Sequence, residues 1–273
     1  APHDLLGMHL LGDGSGVVVR ALLQDAAQVE IVPTLEKDKP SFTLARLHET
    51  GLFEGTSESS NEVYAYDLVI TDFAGRRRQM RDAYSFLPTL EEIDLFLFNQ
   101  GNERRLYDKL GAHQRVLDGV PGVGFAVWAP NAQGVSVVGD FNHWDGRYHP
   151  MRLLGVSGVW ELFIPGLDEG AHYKFEVRNA HGLPVLKADP FATRFEVAPK
   201  NASLVWNTRK FAWTDDAWME RRRQCNPFQS PLSIYEVHLG SWRKQAVGQS
   251  LGYRDLASPL VDYVQRMGFT HVE

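Results

Sequence analysis

The chain repeats itself at one fixed spacing. Gly51-Leu-Phe-Glu54 returns as Gly158-Val-Trp-Glu161, Tyr66 as Tyr173, Gly75 as Gly182 and Asp82 as Asp189, each 107 positions apart. A further stretch, His3-Asp-Leu-Leu-Gly-Met-His9, returns as Tyr107-Asp-Lys-Leu-Gly-Ala-His113. Four anchors at one separation imply a duplicated domain, and a period this long is not that of a solenoid. Each copy consists of short alternating runs punctuated by Gly, Asp, Ser and Pro: 17–23, 29–32 and 63–70 in the first, 125–129, 135–139, 158–164 and 172–177 in the second. Such spacing predicts antiparallel β-sandwiches. Between the copies, Leu90, Ile93, Leu97 and Phe98 stand at helical intervals behind Thr89, with Glu91 and Glu92 in the first turn, so a connecting helix is expected to pack one copy on the next. Gly12-Asp-Gly-Ser-Gly16 opens no helix and is read as a hairpin, not a phosphate loop.

Past Pro231 the pattern changes. The run 233–239 is apolar, β-branched and aromatic, and it ends at Gly240-Ser241, which predicts a buried strand. Leu256, Leu260, Val264 and Met267 then share one helical face, with Gly268 where a C-cap belongs, and 269–272 starts another strand. Strand, helix, strand with so long a crossover means a parallel βαβ unit. Pro259 falls within the helical stretch, so Ser258 is expected as N-cap with Pro259 at the first helical position, or else a kink. The bridge before this unit contains Thr214-Asp-Asp-Ala-Trp-Met-Glu-Arg-Arg-Arg223, a short helix with acids early and bases late.

A chain of 273 residues with 44% hydrophobic and 23% charged residues has length for two or three cores and no disordered composition. Its net charge of −6 argues against nucleic acid as partner, and the Arg76-Arg-Arg78 and Arg221-Arg-Arg223 triplets are too short for a basic patch. A neutral ligand is compatible. The one cysteine, Cys225, can form no intramolecular disulfide and has no base beside it, so a reducing, cytoplasmic location and an inert thiol are expected. No apolar run approaches the roughly 20 residues of a membrane span, and no signal-peptide layout opens the chain. His143 and His149, six apart without Cys or an HExxH helix, do not make a metal site, so none is expected.

All seven tryptophans (Trp128, Trp144, Trp160, Trp206, Trp213, Trp218 and Trp242) lie beyond the first copy, which has none. A neutral glucan is held by stacking its apolar sugar faces on aromatic rings while polar groups fix its hydroxyls, so the second copy has the suitable side chains. Trp128 and Trp160, on alternating strands, are expected in the core. Trp144, in the loop Gly139-Asp-Phe-Asn-His-Trp-Asp-Gly146, is open to two readings, sugar stacking or loop packing. Lys174, between Tyr173 and Phe175, is expected on an outer face. Asn201 reads on its own as a turn residue.

"SIYEVHLGSWR" followed by "YRDLASPLVDYVQRMGFTHVE" closely resembles the entry into the catalytic (β/α)8 barrel of bacterial 1,4-α-glucan (glycogen) branching enzymes, members of the α-amylase superfamily. "GDFNHWDG" followed by "GVWELFIPGLDEGAHYKFEV" is similar to the carbohydrate-binding modules of branching enzymes, isoamylases and the glycogen-sensing subunit of a eukaryotic energy-regulated kinase. That resemblance implies glucan binding by Trp144, Lys174 and Asn201. A second aromatic platform of the family pattern is replaced here by His181-Gly-Leu183.

The expected architecture is therefore mainly β: two tandem immunoglobulin-like β-sandwich modules (1–87 and 106–206) joined by a linker helix (88–105), then a linker (207–231) and the first βα(β) segment (232–273) of a truncated (β/α)8 barrel. The resemblance implies α-glucan as partner, no cofactor, and, for the intact enzyme, cleavage of an α-1,4 linkage with transfer of the segment to a 6-hydroxyl. Retaining transfer needs two carboxyl groups about 5–5.5 Å apart at the ends of barrel strands. By resemblance these would follow Glu273, so no catalytic residue is assigned and the stretch alone is expected to be inactive. Glu236 is expected to point into a barrel layer or pair with a base, and Trp242 and Arg243 to lie on the rim. The alternatives are a glycogen-binding regulatory module, or the front of an isoamylase-type debranching enzyme or trehalose-releasing hydrolase.

Overall fold

A computed structural model describes residues 2–36, 38–245 and 248–273. The chain is mainly β, with antiparallel sheets followed by helices, and it divides into two compact units, Ala1–Lys210 and Phe211–Glu273.

The first unit opens with a single turn, α1 (Pro2–Leu5), and seven strands: β1 (Gly7–Leu10), β2 (Val17–Leu22), β3 (Ala26–Pro33), β4 (Phe42–Arg46), β5 (Leu52–Ser57), β6 (Tyr66–Asp72) and β7 (Arg77–Arg81). Their order is β1-β2-β5-β4-β3-β6-β7, antiparallel throughout. Period-two alternation sends Val17, Val19 and Ala21 of β2, Val29 and Ile31 of β3, and Tyr66, Leu68 and Ile70 of β6 into one shared core with Phe53.

Helix α2 (Glu92–Asn99) follows, with the Asp94 carboxylate accepting from Glu91 N–H at 3.0 Å. Its Leu95 and Phe98, with Leu90, pack on Leu110, Ala126, Leu154 and Val159, so the helix covers the second strand set.

That set comprises β8 (Gly111–Leu117), β9 (Val120–Trp128), β10 (Gly134–Gly139), β11 (Arg152–Leu153), β12 (Val159–Pro165), β13 (His172–Arg178) and β14 (Pro184–Lys187), with β15 (Ser203–Leu204) added beside β13. It forms β8-β9-β12-β11 and β10-β13-β14, and the isolated bridge Ser136↔Pro150 stands where β3 pairs with β4 in the first set. The strand order is thus the same in both copies, and the 107-residue repeat is a repeat of topology. Both copies also bury the same bond, Tyr66 to Asp82 and Tyr173 to Asp189. β15 has no counterpart in the first set, where the chain has already entered α2.

Trp160 is buried with Leu162 and Ile164 as expected, whereas Trp128 is 54% exposed. The reason is register: Val123, Phe125 and Val127 face the core, so alternation turns Trp128 and Ala126 to the α2 side, where the Trp128 ring meets Phe98 edge-on at 6.0 Å.

The second unit contains α3 (Asp216–Gln224), β16 (Ile234–Tyr235), the turn α4 (Leu239–Trp242), α5 (Tyr253–Met267) and β17 (His271–Val272). β16 and β17 pair in parallel, the geometry expected of a βαβ crossover. Two expectations need correction. The strand is only two residues long and Ile234 is 49% exposed, while the pair is packed on the Tyr235 side, through Tyr263 of α5 and Trp242 of α4. Ser258 does not cap the helix: α5 starts at Tyr253 after Gly252 and encloses Pro259, since Leu256, buried, is already part of its inward face. Gly268 closes α5 in the left-handed conformation, φ 76, donating to Gln265 and Val264 carbonyls. Among the described residues no helix is long and apolar enough to cross a membrane.

Candidate functional site

Three separate elements bring Trp144, Lys174 and Asn201 to one side of the second strand set. Trp144 lies in the β10–β11 loop, Lys174 in the middle of β13, and Asn201 in the loop that leads into β15. Lys174 Nζ donates to Asn201 Oδ1 at 2.6 Å, although 27 residues separate them. Lys174 takes its outward direction from its neighbours: Tyr173 and Phe175 are in the core, and alternation leaves Lys174 on the other face with His172 and Glu176.

The Trp144 loop is tightly determined. Asn142 is buried; its amide donates to Val137 O (2.8 Å) and contacts His149 Nδ1 (2.9 Å), while its Oδ1 accepts from Gly139 N–H (2.9 Å). Gly139 is required by close approach, since a side chain there would collide with the His172 carbonyl and the Phe141 ring. Burial pushes the His149 imidazole down to about 4, so the ring is neutral and its Nδ1 serves Asn142 as an acceptor. His143 and Trp144 themselves are left-handed, φ 56 and 60, a conformation that a bulky aromatic residue rarely adopts. The Trp144 indole N–H donates to Asp140 Oδ1 at 2.9 Å, and its backbone N–H to Gly139 O at 2.9 Å.

Sequence reasoning missed the residues that connect these parts. Asp140 Oδ2 lies 3.0 Å from His172 Nδ1, two residues before Lys174 on the same face of β13. His172 Nε2 lies 3.6 Å from Glu196 Oε1, and Glu196 Oε2 accepts the N–H of Ala202, next to Asn201, at 3.0 Å. That N–H holds the Glu196 carboxyl below its ordinary range, and Lys200 and His172 add to the effect. The contacts run Trp144–Asp140–His172–Glu196–Ala202 and return through Asn201 to Lys174. Only the Asp, His and Glu residues themselves were visible beforehand, because their partners lie 32 and 24 positions away.

In the second unit Glu236 is exposed. Trp242 packs inward, its indole N–H donating to the Tyr235 hydroxyl at 2.9 Å and its ring lying edge-on to Tyr263 at 5.9 Å, with Arg243 4.4 Å over it. Among the described residues no cluster of three or more His, Cys, Asp or Glu could hold a metal ion.

Residues 109–192, which contain Asp140, Trp144, His172 and Lys174 but end before Glu196 and Asn201, match carbohydrate-binding module 48, the isoamylase N-terminal domain family. Residues 1–84 match the N-terminal domain of the alpha-1,4-glucan branching enzyme GlgB. The 1,4-alpha-glucan branching enzymes GlgB of Myxococcus xanthus (over 278 aligned residues) and Rubrobacter xylanophilus (over 273) are each 46% identical to this chain, covering 100% of it and 37% of their own length. The chain therefore corresponds along its whole length to the N-terminal portion of GlgB-type branching enzymes, with their N-terminal domain and a carbohydrate-binding module 48. It spans a little over a third of the length of the curated relatives it matches. Among solved structures, a type I pullulanase from Bacillus subtilis aligns over 98% of this chain and 37% of its own at 18% identity and a TM-score of 0.40, too distant a likeness to carry an argument.

Proposed function

We propose that the chain binds α-1,4-linked glucan at Trp144, Lys174 and Asn201, and that it forms the amino-terminal part of an enzyme which cleaves an α-1,4 linkage and transfers the released segment to a glucan 6-hydroxyl. The observation that carries the binding site is the direct bond between Lys174 and Asn201 from separate elements, with Trp144 held in a left-handed conformation and tied to the Lys174 strand through Asp140 and His172. A non-glycine residue in that conformation costs on the order of 1–3 kcal/mol and persists where the surroundings over-determine it, commonly at ligand sites. Trp144 then supplies a stacking face, while the Lys174 ammonium and the Asn201 amide hold adjacent hydroxyls.

In this reading each strand set is an immunoglobulin-like sandwich module, 1–87 and 106–206, with 88–105 and 207–231 as linkers. Residues 232–273 form the entry into a (β/α)8 barrel, for which the parallel pairing of β16 with β17 is the support. Bond cleavage needs a carboxylate pair, and 232–273 offers no such pair on its two short strands. The chain alone therefore leaves the iodine colour of amylose unchanged. The cytoplasm, where glucan stores are built, is the fitting location for such a protein.

Calorimetric titration of the chain with maltoheptaose tests the binding site. Trp144→Ala is expected to weaken binding at least tenfold, the loss of one aromatic platform, and Lys174→Ala to weaken it less. Equal affinity of wild type and Trp144→Ala overturns the assignment.

A further inference from the structure

The series of contacts has two members that belong to neither ligand-presenting loop, Lys174 and His172, and His172 is the one that reaches the Trp144 loop. His172 sits at the start of β13, on the rigid sheet, with a carboxylate of the Trp144 loop on one nitrogen and a carboxylate of the Asn201 loop near the other. Its two contacts differ. At 3.0 Å Nδ1 is within hydrogen-bond reach of Asp140, while 3.6 Å from Nε2 to Glu196 is too long for one, so the distances fit a proton on Nδ1. Asp140 divides its carboxylate between this proton and the Trp144 indole, one oxygen each. Glu196 likewise uses its other oxygen for the Ala202 N–H and faces Lys200 Nζ at 3.5 Å, so its position fixes the turn in which Asn201 stands.

We propose that His172 is a positioning residue of the glucan site: through Asp140 it fastens the Trp144 loop to strand β13, which carries Lys174, so that the stacking ring and the polar pair meet a glucan already arranged. The proposal rests on the glucan-binding reading for its consequence, but the fastening itself is a property of the unliganded protein. Asp140 is two-thirds exposed, so without His172 water competes for it, and Trp144 loses a fixed indole acceptor. Binding must then order at least one large side chain that was ordered before, which weakens it by about three- to tenfold without removing any group that touches sugar.

The test separates the two layers. In the full 273-residue chain the Trp144 indole N–H resonance is assigned by its disappearance in Trp144→Phe. In His172→Ala, without ligand, that resonance is expected to shift and its exchange with water to accelerate, and maltoheptaose affinity to fall three- to tenfold. Exogenous imidazole, which can occupy the vacated space and donate to Asp140, should restore part of both. His172→Gln, which can donate to Asp140 from a more flexible side chain, should lie between wild type and alanine, and it serves if the alanine variant does not fold. A Trp144 resonance and exchange rate unchanged by both variants overturns the proposal whatever the affinity does. A moved resonance in a chain that binds no maltoheptaose upholds the fastening and removes the glucan reading instead.

Discussion

The Tyr173 hydroxyl donates to Asp189 Oδ2 at 2.5 Å inside the second strand set, and Asp189 Oδ1 accepts the N–H of Phe191 at 2.8 Å. One repeat earlier Tyr66 donates to Asp82 Oδ2 at 2.5 Å and Asp82 Oδ1 accepts from Tyr84 at 2.9 Å. Burial raises both carboxyls above the usual range, against the pull of these donors. A buried carboxyl with a fixed donor and a turn to cap is a structural unit, which explains why Tyr and Asp are anchors of the repeat. Removing the hydroxyl leaves the acceptor without its partner, a loss of about 1–3 kcal/mol. Tyr66→Phe and Tyr173→Phe are each expected to lower the unfolding free energy of Ala1–Lys210 by that amount, read as a lower urea midpoint, and near-equal stability of either variant with wild type would contradict it.

The pH dependence of stability follows from His149. Burial depresses its pKa to about 4 from an ordinary 6.5, so the folded state resists the proton that the unfolded state accepts. Its stability contribution is whole above pH 6.5 and is lost as pH falls from 6.5 to 4, at about 1.4 kcal/mol per pH unit at most. His3, pushed down to about 3 by burial and then by Arg152, acts in the same direction over that window. The melting temperature should fall between pH 6.5 and 4.5, and His149→Gln should flatten part of that slope. An unchanged slope counts against the neutral His149 acceptor.

Glu161 is fully buried and holds two strangers to its own strand: its Oε2 accepts from Arg152 Nε at 2.8 Å and its Oε1 from Thr89 N–H at 2.9 Å. Arg152 also donates to Phe86 O at 3.0 Å, so the pair fastens the chain segment that leaves the first strand set. Glu161→Ala strands a buried guanidinium and should cost about 3–5 kcal/mol. Glu161→Leu with Arg152→Met should recover part of this, since Thr89 N–H and Phe86 O still lack their partners. Denaturant titration of the two variants measures the difference; equal stability would mean the charge is not stranded.

What could be read from the chain beforehand was what is local or repeated. The alternation of β2, β9 and β12, the α5 stripe and the Tyr–Asp anchors are short-range patterns with long-range consequences. From its loop Trp144 was open to stacking or packing, and its grouping with Lys174 and Asn201 came through resemblance, because nothing in the spacing of Lys174 and Asn201 says that an extra strand, β15, will bring them within 2.6 Å. Asp140, His172 and Glu196 carried no signal, being paired across sheet and loop. Trp128 went astray because alternation fixes that residues face opposite ways without fixing which face a helix will cover. The repeat also shows where the copies part: the place of Lys174 is taken in the first set by Asp67, which is bound to Arg81 and Gln79 at 2.8 Å each. That carboxylate is spent on its own sheet.

Pro259 provides the last test. It stands seven residues into α5, where its ring lacks the N–H that would reach the Asp255 carbonyl, and where a proline typically costs about 3 kcal/mol relative to alanine. The helix survives it because the Leu256, Leu260 and Val264 face and the Gly268 cap span both sides of the interruption. Pro259→Ala supplies the missing bond without altering that face. It should raise the protection of 253–267 from amide exchange by up to about a hundredfold, equivalent to roughly 3 kcal/mol, and leave the strands of Ala1–Lys210 untouched. If protection across α5 stays at the wild-type level, the helix does not run through Pro259, and the Ser258 start that the sequence suggests would be restored.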